Sequence, residues 1–123
     1  YAKTRVQGGK PLIAYPTIQT KLFHMLRKVE ASRSISRAAF CYNQNTSTPA
    51  EEYSIMAKIQ GTQAAFDVAN DAIQIFGGNG LTKEYLVEKL FRDARAMLIE
   101  DGSNDSLAIA GGYKIIKTYP RKD

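Results

Sequence analysis

One long run of helical periodicity constrains the fold of this chain more than any other feature of its sequence. Between residues 55 and 76, apolar or small side chains recur at alternating intervals of four and three residues. This spacing places them on one face of an α-helix. Glycine tolerates the left-handed backbone that ends helices, so Gly77 and Gly78 predict the stop. The recurring positions are Ile55, Ile59, Thr62, Phe66, Ala69, Ile73 and Phe76.

A start signal precedes this run in the segment "TPAE". Thr48 is placed to act as the N-cap, Pro49 as the first helical residue and Glu51 as the reciprocal partner of a capping box. We therefore predict a helix over residues 49 to 76.

Three more helices are predicted around this one. Pro16 begins a helical stripe that extends to about Tyr42, and the polar turn "NQNTST" is short enough to make the first two helices antiparallel. Thr82 is expected to cap a third helix in "LTKEYLVEKLFRDARAML", and Ser103 a fourth after "EDGS". The segment "QGGKPLIAYP" is expected to be a loop or a short extended connection, and no stretch shows convincing strand alternation. The sequence predicts an all-α fold, an up-down four-helix bundle.

Length and cysteine content limit the class of protein. With 123 residues, the chain suits one domain, residues 1 to 123, and no apolar run approaches the ~20 residues of a membrane span. The chain begins with Tyr1, and "YAKTR" resembles the last turn of a helix, so we expect a piece of a longer protein. The single Cys41 excludes an internal disulfide and fits a reducing compartment. We expect a cytoplasmic protein.

Charge and ligand-type residues argue against two classes of function. The net charge is +5, but the basic residues are scattered and only "YPRKD" at the C-terminal end is dense. We therefore expect no nucleic-acid partner. His24 and Cys41 are the only residues of their types and lack the spacing of metal ligands, so we expect no metal site.

Three stretches carry a resemblance to a known family. "YAKTRVQGGKP" is similar to a Tyr-Ala-x-x-Arg-x-Gln-Phe-Gly-Lys-Pro pattern. "DAIQIFGGNGLTKEYLVEKLFRDAR" is similar to a Gln-Ile-x-Gly-Gly-x-Gly pattern followed by a helix that ends in Arg-Asp-Ala, and "IEDGSNDSL" to a segment with Tyr-Glu-Gly-Thr. Order and spacing match over essentially the whole chain. The chain resembles the C-terminal helical domain of the acyl-CoA dehydrogenase family.

This resemblance implies a flavoprotein. Family members bind FAD and oxidise acyl-CoA thioesters to enoyl-CoA: a carboxylate removes the α-proton while the β-hydrogen leaves as hydride to the flavin. Most pass electrons to an electron-transferring flavoprotein, and they are typically homotetramers in which each C-terminal domain contributes to a neighbour's FAD site. An N-terminal helical domain and a middle β domain belong to the family's complete chain and are expected outside this one.

The family pattern assigns cofactor contacts residue by residue. Arg5 matches the arginine that reaches the FAD pyrophosphate across the subunit interface, a role that suits a bidentate guanidinium. Gln7 matches a polar residue near the same cofactor. Gln74, Gly77 and Gly78 match the segment that touches the neighbour's FAD, where glycine allows close backbone approach. A solvated surface arginine and a plain helix C-cap are the ordinary alternatives.

The chain departs from the pattern in two places. Gly8 stands where the family often has Phe, which removes an aromatic contact on the flavin side. Tyr15 and Pro16 replace positions that often carry polar contacts to the cofactor. We therefore expect an altered affinity or geometry for FAD.

The segment "IEDGSNDSL" carries the catalytic prediction. By the resemblance, Asp101 falls on the catalytic glutamate, Glu100 and Gly102 are its neighbours at the substrate, and Ser103 falls on the threonine that contacts flavin. The chemistry needs a carboxylate beside the acyl α-carbon in a site that excludes water. Asp101 is one methylene shorter than glutamate, and small misplacements are costly in catalysis. The aspartate therefore indicates a cyclic or α-branched acyl group, or a changed reaction.

Several alternatives stay open. Glu100 can act as the base instead, the base can come from another helix outside this chain, or both carboxylates merely favour the positive end of the last helix. For the intact protein, the alternatives to a dehydrogenase are a family relative with altered or lost chemistry and a basic helical interaction module.

Overall fold

Four helices make up most of the chain. The computed structural model describes residues 1–119, so Pro120 to Asp123, which form most of the basic "YPRKD" segment, lie outside the described residues. The predicted all-α fold is confirmed, and the first helix begins at Pro16 as predicted. The helices are α1 (Pro16–Gln44), α2 (Glu51–Phe76), α3 (Val87–Met97) and α4 (Asn104–Thr118).

Helix α2 is the centre of the fold. It packs against α1, α3 and α4, and most of its side chains are buried or half-buried. Phe66 of α2 packs its ring against Phe91 of α3, with the ring centroids 5.3 Å apart. The predicted apolar seam is therefore part of the surface on which the other helices assemble.

Helices α1 and α2 run antiparallel, as predicted. Lys21 Nζ lies 2.7 Å from Asp71 Oδ1, and Lys28 Nζ lies 2.9 Å from Asp67 Oδ2. Later residues of α1 therefore pair with earlier residues of α2, as in antiparallel helices. These ion pairs join the two helices along their shared edge.

The predicted capping box at the start of α2 is wrong. The helix begins at Glu51 with Ala50 as its N-cap, and no side chain of the N-cap residue caps it. Instead, Asn43 near the end of α1 reaches across: its Oδ1 accepts a hydrogen bond from Ala50 N (2.8 Å), and its Nδ2 donates to Ala50 O (3.3 Å). Asn43 thus holds the residue that precedes the helix, and Thr48 and Pro49 lie outside the helix.

A small hairpin precedes α1. Strands β1 (Val6–Gln7) and β2 (Lys10–Pro11) pair antiparallel. Gly8 and Gly9 form the turn with φ values of 58° and 81°. Two consecutive positive values are typical of a type I′ turn, which glycine adopts readily. The expected short extended connection is thus a two-residue hairpin, too short for strand alternation to reveal.

The predicted cap of α3 is also wrong. A 3-10 helix, Gly77–Leu81, follows α2, and α3 begins several residues later than expected. Thr82 does not cap α3, because its Oγ1 donates to Asn79 O (3.0 Å) and closes the 3-10 helix. Gly80 allows this turn to lie against α2, since a Cβ there would meet Ile73 O at 2.8 Å.

Two glycines have structural roles in these helices: one ends α2, and the other lets α4 pack closely against α2. Gly77 ends α2 as predicted, with φ 59° and ψ −140°, a conformation that side chains disfavour. Gly111 lies in the middle of α4, where a Cβ would be 3.3 Å from Ile55 Cγ2 of α2. Because Gly111 has no side chain, α4 can approach α2 closely.

Large apolar side chains also lie on the surface. Phe23 and Phe40 of α1 are each 64% exposed, and Ile109 and Ile116 of α4 are 76% and 75% exposed. Apolar surface of this kind is typical of faces that pack against further protein. Within residues 1–119, no helix combines the length and apolar character needed to span a membrane.

Candidate functional site

Five of the six residues assigned to the cofactor line one pocket, and the sixth, Ser103, lies elsewhere. A cavity of 480 Å³ lies between the hairpin segment and the C-terminal end of α2, and we call it the hairpin pocket. Arg5 and Gln7 contribute from the hairpin, and Gln74, Gly77 and Gly78 contribute from the end of α2. The other lining residues are Tyr1, Leu12, Ile18, Ile75, Phe76 and Asn79.

Tyr1 fastens the hairpin segment to the end of α2. Its ring stacks on Phe76 with centroids 4.0 Å apart, and Tyr85 packs edge-on against both rings. Its Oη donates to Phe76 O (3.3 Å) and accepts from Asn79 Nδ2 (2.9 Å). Arg5 N donates to Tyr1 O (2.9 Å), so the arginine is positioned through the same anchor.

The polar groups of the hairpin pocket suit an anionic ligand. The side chains of Arg5, Gln7 and Gln74 belong to exposed residues. A Cβ added at Gly77 or Gly78 would meet nothing within 4 Å, so ligand atoms can approach this backbone closely. One guanidinium, two carboxamides and open backbone match the oxygens of a pyrophosphate. The residues present therefore fit the FAD that the resemblance implies.

The predicted catalytic residues form a tight turn between α3 and α4, here called the acidic turn (residues 100–103). Glu100 N donates to Ala96 O (3.0 Å), so Glu100 continues the last turn of α3. Asp101 and Gly102 then take φ values of 54° and 94°. Asp101 is the only non-glycine residue of positive φ within residues 1–119, a conformation that costs about 1 kcal/mol. Both carboxylates belong to exposed residues.

Ser103 is the N-cap of α4, as predicted. Its Oγ accepts a hydrogen bond from Ser106 N (3.2 Å). Gly102 lies against Leu107, whose side chain would be 3.3 Å from an added Cβ. Position 102 therefore favours glycine for two reasons, its positive φ and its lack of space.

Helix α2 reaches the acidic turn through residues that the sequence analysis did not assign to the site. Lys58 Nζ donates to Gly102 O (2.9 Å) and to Asn104 Oδ1 (2.8 Å). Asn104 Nδ2 donates to Thr62 Oγ1 (3.0 Å). The spacing of Lys58 and Thr62 places both residues on one face of α2, but it does not show which segment that face contacts.

The hairpin pocket and the acidic turn are separate sites. From Lys58 to Gln74, α2 rises about 24 Å at about 1.5 Å per residue. Arg5 and Asp101 are therefore not brought together, and the predicted site residues form two groups. Among the side chains of residues 1–119, no three His, Cys, Asp or Glu groups converge as metal ligands.

Comparison with known proteins identifies relatives of this arrangement. Residues 1–111 match the family model of the acyl-CoA dehydrogenase C-terminal domain. The short-chain-specific acyl-CoA dehydrogenase of Megasphaera elsdenii is 38% identical over 113 residues, which are 91% of this chain and 29% of that protein. The solved butyryl-CoA dehydrogenase of the same organism matches with a TM-score of 0.88 and 34% identity, over 94% of this chain and 30% of its own.

A further solved structure extends the comparison. It is described as the electron transferring flavoprotein of Acidaminococcus fermentans and matches with a TM-score of 0.88 and 32% identity, over 95% of this chain and 30% of its own. The chain thus spans 29–30% of the length of these relatives. The matched family model includes both the hairpin pocket and the acidic turn. This chain therefore belongs to the acyl-CoA dehydrogenase family and matches its C-terminal domain.

Proposed function

We propose that this chain is the C-terminal helical domain, residues 1 to 123, of an FAD-dependent acyl-CoA dehydrogenase. The intact protein, with an N-terminal helical domain and a middle β domain, oxidises an acyl-CoA thioester to the enoyl-CoA. The observation that carries the proposal is the convergence of Arg5, Gln7, Gln74, Gly77 and Gly78 on one pocket. The family pattern gives these same positions to FAD, and the residues present suit a pyrophosphate.

In this proposal, the hairpin pocket holds the pyrophosphate of a neighbouring subunit's FAD. Arg5 would hold the phosphate oxygens through its guanidinium, and Gln7 and Gln74 would donate from their carboxamides. The lack of side chains at Gly77 and Gly78 lets the cofactor lie against the backbone. Bound FAD supplies the acceptor for hydride.

The acidic turn provides the base. Asp101 takes the α-proton of the thioester as the β-hydrogen leaves as hydride, and the electron pair of the α-C–H bond becomes the new double bond. Glu100 and Gly102 contact the substrate, and Ser103 contacts the flavin. Exclusion of water from the closed site strengthens the carboxylate as a base. The shorter reach of Asp101 favours a cyclic or α-branched acyl group.

The intact protein is proposed to be a homotetramer that uses an electron-transferring flavoprotein as its acceptor. Exposed apolar residues on α1 and α4, including Phe23, Phe40, Ile109 and Ile116, support assembly with further protein. The similarity to a structure described as an electron transferring flavoprotein supports the choice of acceptor. We place the protein in the cytoplasm, or in the mitochondrial matrix of a eukaryote. Light scattering of the purified intact protein tests the assembly, and a monomeric mass would contradict it.

Anaerobic titration of the intact protein with straight, branched and cyclic acyl-CoAs tests the chemistry. We expect one class to bleach the flavin absorbance. Asp101→Asn is expected to keep its flavin and lose bleaching, while the neighbouring Glu100→Gln keeps both. The reverse pattern assigns the base to Glu100, and bleaching in both variants places the base outside this chain. If no acyl-CoA bleaches the wild-type flavin, the protein is a relative with altered or lost dehydrogenase chemistry.

A further inference from the structure

Lys58 is the cation that joins α2 to the acidic turn. Its Nζ lies 2.9 Å from Gly102 O and 2.8 Å from Asn104 Oδ1. Both acceptors are neutral, so the ammonium is used to hold backbone and amide groups rather than to pair with Glu100 or Asp101. Such charge-assisted hydrogen bonds are stronger than those between neutral groups.

Lys58 contacts the acidic turn at a residue whose backbone conformation is unfavourable for most side chains. Asp101 and Gly102 both have positive φ, and for an aspartate this conformation persists only when its surroundings fix it. The carbonyl that accepts from Lys58 belongs to the second of these residues. The direction of the Cα–Cβ bond of Asp101 follows from this backbone, so a contact that fixes Gly102 also limits the positions that the carboxylate can reach.

Thr62 and Asn104 extend the contact that Lys58 makes between α2 and the turn. Thr62 Oγ1 donates to Lys58 O (3.0 Å) and accepts from Asn104 Nδ2 (3.0 Å). Asn104 N donates to Leu98 O (3.0 Å), which ties the start of α4 to the end of α3. Lys58, Thr62 and Asn104 thus form a closed set of hydrogen bonds between α2 and the acidic turn, and we call it the α2 clamp.

We propose that Lys58, through the α2 clamp, is a positioning residue that directs the Asp101 carboxylate toward the substrate. This inference rests on the proposed function, in which Asp101 is the catalytic base. Catalysis requires the base within hydrogen-bonding reach of the proton that it removes. A shift on the order of 1 Å can lower the rate about 100-fold. Lys58 holds Gly102 O. Replacing the lysine would therefore free the turn to move while the Asp101 carboxylate stays present.

The first test uses Lys58→Met in the intact protein. Flavin reduction by the best acyl-CoA substrate is measured by rapid mixing, as a function of substrate concentration. We expect the limiting rate to fall about 10- to 100-fold while the substrate dissociation constant and the FAD content stay near wild type. Lys89→Met is the matched control, because Lys89 pairs with Asp93 on an exposed face of α3, and its rate is expected to stay within about 2-fold.

Two further variants separate positioning from a general loss of structure. Lys58→Arg retains a cation that can donate to both acceptors and is expected to recover much of the rate. Lys58→Met added to Asp101→Asn is expected to cause no further loss, because a positioning residue has nothing left to position. A further loss in that double variant, comparable to the loss in the single variant, would overturn the proposal.

Hydrogen exchange gives a readout that does not depend on turnover. In Lys58→Met we expect faster exchange of the amides of residues 101 to 104 than in Lys89→Met, with the centre of α2 unchanged. If Lys58→Met and Lys89→Met reduce flavin at equal rates, the positioning role is wrong and the dehydrogenase proposal stands. If wild type reduces no flavin with any acyl-CoA, both proposals are wrong.

Discussion

The hydroxyl of Tyr15 occupies the space that a side chain at Gly8 would fill, since a Cβ on Gly8 would lie 2.5 Å from Tyr15 Oη. From this position the hydroxyl donates a 2.6 Å hydrogen bond to Gln7 O. Lys10 Nζ lies 4.3 Å from the centroid of the same ring. The two departures from the family pattern, Gly8 and Tyr15, therefore depend on each other: the tyrosine hydroxyl fits only because position 8 has no side chain. The tyrosine supports the hairpin turn directly beside Gln7, which lines the hairpin pocket.

Tyr15→Phe is expected to weaken FAD binding to the intact protein. The change removes the hydrogen bond to Gln7 O, worth about 1 kcal/mol, and leaves the ring in place. We expect the FAD dissociation constant to rise about 5-fold, measured by the fluorescence of released flavin. Tyr113→Phe, on the exposed face of α4, is the matched control and should leave the constant unchanged. Equal FAD dissociation constants for Tyr15→Phe and wild type would show that this hydrogen bond in the hairpin does not contribute to cofactor binding.

Arg5→Met is expected to have a larger effect on FAD. A hydrogen bond to a charged group contributes about 1.5–3 kcal/mol, so the dissociation constant should rise about 10- to 100-fold. The affinity of the variant should also depend less on salt, because one charge pair is lost. Arg37→Met, an exposed arginine of α1, provides the control. Wild-type affinity in Arg5→Met would mean that Arg5 is an ordinary solvated residue.

Signals that act within one segment predicted the structure best. Gly77 ends α2 because its own backbone conformation stops the helix, and Ser103 caps α4 through a residue three positions later. Both effects depend only on neighbours in sequence. The hairpin around Gly8 and Gly9 was predicted only as a loop or short extended connection, because strands of two residues are too short to show alternation.

Signals that depend on another helix were not readable in the same way. Thr48 has the right chemistry for an N-cap, but Asn43 of α1 satisfies Ala50 instead. The contact from Lys58 to Gly102 joins segments far apart in the chain. No local pattern predicts which helices will meet. The grouping of Arg5 with Gln74 was therefore available only through the family resemblance, and the structure places both in one pocket.

Glycine substitutions should have opposite effects on stability in two places. Gly112→Ala adds a methyl group to α4 where nothing lies within 4 Å, so we expect a gain of about 0.5–1 kcal/mol from helix propensity. Gly102→Ala places a side chain at φ 94° and 3.3 Å from Leu107. We expect a loss of about 1–3 kcal/mol. Denaturant unfolding of the intact protein measures both. A Gly102→Ala variant as stable as wild type would contradict this account of the acidic turn.

The ion pair between Asp67 and Lys28 should make stability depend on pH. Partial burial raises the pKa of Asp67, but the hydrogen bonds from Lys28 and Gln63 and the positive charge of Lys28 together outweigh burial, so the pKa lies below its ordinary value. A carboxyl group with a lowered pKa stabilises the fold above its unfolded pKa of about 3.9. That stabilisation is lost as the pH falls through the folded pKa.

Asp67→Asn tests this dependence. Near neutral pH we expect the variant to be less stable than wild type by about 0.5 kcal/mol, the range of partly exposed ion pairs. The difference should shrink as the pH is lowered below about 4, the ordinary pKa of an aspartate, and through the lower folded pKa, because wild type then loses the same charge. Denaturant unfolding across this range measures it, with Glu30→Gln as the control for an exposed pair within α1. A difference that stays constant to the lowest pH would show that Asp67 acts through packing or hydrogen bonding rather than through its charge.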